Sequence, residues 1–73
     1  MVLQVGSSIT INPNERDEHA LVLCIKKEFL VIMLKRQFIV IFNWSVIDDE
    51  IVWEYGKQFV DFMEMSEYVV EKL

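Results

Sequence analysis

Chemistry at a protein site needs a nucleophile, a base and an orienting group, or a set of metal ligands, and this chain offers few of each. It has one cysteine, Cys24, and one histidine, His19. Candidate hydroxyls are Ser7, Ser8 and Ser45, and the one run of carboxylates is Asp48-Asp49-Glu50. Cys24 lies inside an apolar block and reads as a buried core thiol of a reducing compartment rather than a nucleophile. His19 adjoins a charged stretch and reads as a solvated surface histidine. The two cannot make a zinc set between them. Three adjacent carboxylates could hold a divalent cation, but at a hairpin tip they ordinarily serve to solvate the turn. Nothing matches a phosphate-binding or calcium-binding loop. The expectation is a protein that is not an enzyme and has no cofactor and no metal.

The elements that would have to position any site are dominated by residues 20–42, of which seventeen of twenty-three are apolar. Three blocks, residues 20–25, 29–34 and 38–42, are separated by Lys26-Lys27-Glu28 and Lys35-Arg36-Gln37. The block lengths and the density of β-branched and aromatic residues favour strands over a buried helix. An antiparallel meander follows, with slightly longer turns at the two breaks, since neither holds the Asn-Gly or Asp-Gly of a tight hairpin. Alternation places Leu21, Leu23 and Ile25 on one face and Val22 and Cys24 on the other. Both faces are apolar, and the flanking charges read as gatekeepers of aggregation-prone strands.

With 73 residues the chain makes one domain, residues 1–73. A domain of this size buries only about 60% of its extended surface and normally needs a disulfide, a metal or oligomerisation. Cys24 alone excludes an internal disulfide. Oligomerisation is the remaining aid, so the apolar second face, with Val22, Cys24, Leu30, Ile32, Ile39 and Ile41, is the expected surface of a homodimer. No block approaches the roughly 20 apolar residues of a membrane helix, and residues 1–6 lack the basic start of a signal peptide. A cytoplasmic protein with no membrane partner is expected.

Charge is uneven: residues 1–42 carry a net of +1 and residues 43–73 a net of −6, for −5 in all. Acidic side chains repel phosphate, which removes the counterion-release contribution to nucleic-acid affinity. The basic pairs Lys26-Lys27 and Lys35-Arg36 fall at opposite ends of one strand and form no continuous patch. Nucleic acid is therefore an unfavoured partner, whereas a basic protein surface would be attracted.

Elsewhere, Gly6-Ser7-Ser8 signals a turn before a short strand at residues 9–11, and Asn12-Pro13-Asn14 breaks regular structure. Asp48-Asp49 reads as a hairpin loop, residues 51–53 as a short strand with Trp53 in the core, and Gly56 as a turn or bulge. A helix starts at Asp61. Asp61 is its cap, Glu64 completes a capping-box-like pair, Val60 staples onto Met65, and Phe62, Met65, Val69 and Leu73 form the buried stripe. The fold class is α+β: a small SH3-like curled antiparallel β-sheet of four to five strands followed by one C-terminal α-helix. An open sheet with the helix on one face is the alternative.

From Phe38 onward the residues resemble small bacteriophage and prophage accessory proteins of mostly unassigned function. The resemblance rests on an aromatic strand, Phe38-Ile-Val-Ile-Phe42, near Trp44, and on the acidic loop Asp48-Asp49-Glu50. Trp53-Glu-Tyr-Gly56-Lys-Gln-Phe59 and the helix start Asp61-Phe-Met-Glu64 complete it. Met65 stands where an Ala is commoner. The resemblance implies a module that binds and inhibits or redirects a host protein, such as a defence or nucleic-acid-processing factor in the manner of anti-CRISPR proteins. The partner, a host or bacterial protein with a basic surface, would be engaged by Trp44, Asp48, Asp49, Glu50, Glu54 and Tyr55, because Trp and Tyr are favoured interface anchors. The alternatives are an SH3-like nucleic-acid-binding accessory domain and a structural subunit of a larger assembly.

Overall fold

A computed structural model describes residues 3–11 and 18–73. In chain order its elements are β1 (Ser8–Ile11), β2 (Glu18–Ile25), β3 (Phe29–Leu34), β4 (Gln37–Phe42), β5 (Ser45–Ile47), β6 (Glu50–Val52), β7 (Tyr55–Phe59) and α1 (Phe62–Lys72). One antiparallel sheet has the order β1-β2-β3-β4-β7, and β5 with β6 forms a second, two-stranded sheet. The class is α+β. The three apolar blocks are the central strands β2, β3 and β4, each paired to its sequence neighbour. The expectation for residues 12–14 lies outside the described residues. No helix among the described residues is long and apolar enough to cross a membrane.

Turn chemistry departs from expectation at one break. Lys35 and Arg36 alone connect β3 to β4, and Lys35 adopts a left-handed φ of 56°. The other break keeps its three residues, closed by the Lys26 amide donating to the Phe29 carbonyl at 2.9 Å. Asp48 and Asp49, with φ of 52° and 62°, form the two-residue tip between β5 and β6. Positive φ at both central residues suits the right-handed twist of the flanking strands, and aspartate tolerates it better than most residues. Gly56 makes no turn. It lies within β7 opposite Ile41, where a Cβ would stand 3.1 Å from the Ile41 Cγ2 and 3.2 Å from the Ile39 Cγ2.

The face assignment of β2 changes at a register shift between Val22 and Cys24. Before it, Ala20 and Val22 enter one core; after it, Ile25 packs against that core while Leu23 and Cys24 pack on the other side. One extra residue in a strand turns every later side chain over. Val22 and Cys24, expected on the same face, are thus on opposite faces.

Each face is covered within the chain, but unequally. On the first face Ile9, Ile11, Ala20, Val22, Leu30, Ile32, Ile39 and Ile41 are buried, and Ile51 from the β5–β6 hairpin closes over them. Strand β6 packs against β1, which carries the hairpin across this face. Five of the six residues expected at a dimer surface (Val22, Leu30, Ile32, Ile39 and Ile41) are at most 7% exposed, inside one chain's own core. The reason is the hairpin: residues 45–47 form β5, which pairs with β6, and the hairpin covers what a flat meander would expose.

Helix α1 covers the second face, where Phe29, Val31, Val40 and Met65 are buried. The Asp61 carboxylate caps it by accepting from the Met63 amide at 2.7 Å. The expected staple is not made, since Val60 is 77% exposed. Nor do Phe62 and Leu73 complete the buried stripe; both are exposed, while Val69 is half-buried and Met65 fully so. Helix α1 rests on β4 and β7.

Candidate functional site

The residues with chemical potential are not assembled. His19 lies exposed on β2 opposite Thr10, and Ser8 on β1 opposite Leu21. Cys24 is a free, half-buried thiol on the second face, and Ser45 starts β5. No hydrogen bond among the described residues links His19, Cys24 or a serine hydroxyl to a catalytic neighbour. No group of three His, Cys, Asp or Glu side chains among the described residues could hold a metal ion.

The expected acidic and aromatic surface is divided by the sheet. Trp44 is half-buried against the first-face core, and its Nε1 donates to the Lys26 carbonyl at 3.2 Å. Trp53 packs against the same core. Tyr55 lies on the second face, stacked on Phe42 with ring centroids 4.8 Å apart. Asp48, Asp49 and Glu50 occupy the exposed tip and start of β6. Glu54 accepts from the Asn43 side-chain amide at 2.7 Å, which ties the entry and exit of the hairpin together. Trp44 is therefore a structural post for the β4–β5 corner, and it does not share a face with Tyr55.

Concavity occurs elsewhere on the molecule. Because α1 rests on β4 and β7, its side chains bury Phe29 and Val31 of β3 but leave the second face over β2 only partly roofed. A groove of about 310 Å³ runs there, with Leu23, Cys24 and Val31 on its sheet side and Phe62, Ser66 and Val70 on its helix side. Phe62 is 55% and Val70 63% exposed. Beyond the groove, alternation and the Leu21–Met33 pairing put Leu21 and Met33 on the same face, half-exposed. The groove lining is mostly apolar, of the kind that marks interaction sites on small proteins.

The electrostatics of the two sides of α1 differ. At 100° per residue, Met63 and Val70 border the groove and the exposed Glu67 follows about 60° beyond Val70, while Glu71 and Glu64 lie farther round on the outer side of the helix. The two lysines of the C-terminal half are held on the opposite side. Lys57 Nζ lies 4.8 Å and Lys72 Nζ 5.2 Å from the Tyr68 ring centroid. The helix-side rim of the groove thus has one carboxylate beside it, that of Glu67. No basic residue lines the groove itself; Lys72 joins Lys26 and Lys27 in a neighbouring pocket at the C-terminal end of α1.

Sequence reasoning named Cys24 but missed Leu23, Phe62, Ser66 and Val70. A signal was present: Phe62, Met63 and Val70 extend the apolar arc of α1 beyond what one packing neighbour can cover. The chain matches no family model, no curated protein and no solved structure.

Proposed function

We propose that this chain is a small protein–protein interaction module, without chemistry of its own, that holds its partner in the groove between α1 and strands β2 and β3. The observation that carries this reading is the half-roofed second face. Phe62, Val70 and Leu21 stay exposed beside one apolar groove, over a sheet face whose Phe29, Val31 and Val40 are buried. Large apolar side chains at the centre of a concave surface supply most binding energy in protein interfaces. The hairpin tip Asp48-Asp49-Glu50 and the net charge of −6 over residues 43–73 favour a partner with a basic surface and speed its approach.

Inhibition or redirection of a host protein in the cytoplasm, as a phage-type module would do, is supported by the sequence resemblance alone. Self-association through the first face is disfavoured by the burial of Val22, Leu30, Ile32, Ile39 and Ile41. Affinity capture from bacterial lysate tests the reading, with the native chain set beside Val70→Asp and Ser66→Arg. A partner protein retained by the native chain and released by both variants is expected. Identical captures by all three chains would remove the groove from the function. Gel shifts with DNA or RNA at low salt would install the nucleic-acid reading instead.

A further inference from the structure

We infer that the occupant of the groove is an amphipathic helix with a basic flank, which completes a two-helix layer over the second face. The inference rests on the interaction-module reading and names the partner that reading leaves open. The first argument is width. Strands spaced about 4.8 Å apart put β1 roughly 19 Å from β7, and a helix packs about 10 Å from its neighbour. Helix α1 takes the β4 and β7 half. Phe29 and Val31 of β3 are already buried against Met65, so what remains open is the strip over β1 and β2, which one more helix beside α1 would cover.

The second argument is charge. A helix lying beside α1 would set one flank against Glu67, with Val70 and Phe62 beneath. Lysine or arginine on that flank is attracted, and carboxylates are repelled. Lys57 and Lys72 are turned to the Tyr68 side, so no basic group on α1 offsets Glu67 from within the groove. The same carboxylate opposes a second copy docking helix to helix, since glutamate would meet glutamate. It opposes fatty-acid carboxylates and anionic bilayers for the same reason. Helix α1 has 11 residues, and a partner segment of about three turns would match its length.

The test uses the full chain and three labelled peptides of about 14 residues. These are a leucine–lysine amphipathic helix, a scrambled peptide of the same composition, and a leucine–glutamate helix of the same pattern. Fluorescence anisotropy should show the leucine–lysine helix binding roughly tenfold or more tighter than either control, a difference of about 1.4 kcal/mol. Val70→Asp should weaken it by a similar factor even though it adds negative charge, and Glu67→Lys should weaken it and flatten its salt dependence. Val70 is exposed, so that variant keeps the fold, which circular dichroism verifies. Equal binding of the scrambled peptide, or indifference to Val70→Asp, would overturn the inference. Sedimentation of the chain alone separates the two readings. Self-association abolished by Val70→Asp would make a second copy the occupant, ending this inference while the groove keeps its role. Neither peptide binding nor self-association would end both.

Discussion

Ile32 separates an internal core from an intermolecular one. Its side chain is 0% exposed within one chain, surrounded on the first face by neighbours such as Leu30 and Ile41. Shortening it to valine removes one buried methyl(ene) group and should cost about 0.5–1.5 kcal/mol, and Ile32→Ala about 2–5 kcal/mol with its cavity. At roughly 0.05–0.15 kcal/mol per residue, a domain of this length has a total of only about 4–11 kcal/mol. Ile32→Ala should therefore leave a marginal or unfolded chain, whereas Ile32→Val stays measurable. A loss of about 1 kcal/mol corresponds to a fall of roughly 4–8 °C in Tm for a domain of this size. The assay is urea and thermal unfolding at two protein concentrations a hundredfold apart. Because the site is filled from within the chain, the midpoints of the native protein and of Ile32→Val should be the same at both concentrations. A native midpoint that climbs with concentration, with Ile32→Val costing more in concentrated solution than in dilute, would refute the reasoning and return Ile32 to a dimer interface.

Three further outcomes follow from local geometry. Gly56→Ala should destabilise by about 1 kcal/mol in urea unfolding, because crowding against the buried Ile41 and Ile39 methyls outweighs the entropy gained over glycine; a stabilised variant would show that those methyls yield freely. Asp61→Ala should cost about 1 kcal/mol and lower helical ellipticity, through loss of the bond to the Met63 amide; an unchanged midpoint would place the helix start elsewhere. A bulky maleimide on Cys24 should leave the far-ultraviolet spectrum intact and abolish binding of the leucine–lysine helix, since this free thiol lines the groove; undiminished binding by the labelled chain would show that the groove is not the site.

The α+β class, the central meander and the capped helix are legible from block length, residue type and the Asp61 signal, because these are local properties. The register shift in β2 is not: Leu21-Val22-Leu23-Cys24 contains no Gly or Pro to mark it, and it arises from pairing on both sides at once. Strand β5 is equally silent, three residues that gain meaning only when the hairpin packs Ile51 into the first core. That single folding-over takes five residues assigned to a dimer surface and buries them inside the chain. For the candidate site, composition identified an excess of apolar surface and an acidic C-terminal half, yet not where they meet. Trp44 and Tyr55 look like neighbours in sequence, but Trp44 packs on the first-face core and Tyr55 stacks on Phe42 on the second face. The groove depends on where α1 sits over the sheet, and that follows from packing on β4 and β7 rather than from any residue of α1 alone.

The most direct measurement of the central claim is an amide chemical-shift titration of the full chain with the leucine–lysine helix. The largest shifts should fall on Leu21, Leu23 and Cys24 of the sheet and on Ser66, Glu67 and Val70 of the helix, with Asp48, Asp49 and Glu50 nearly unmoved. Shifts concentrated on the Asp48–Glu50 tip, with the groove residues unchanged, would contradict it.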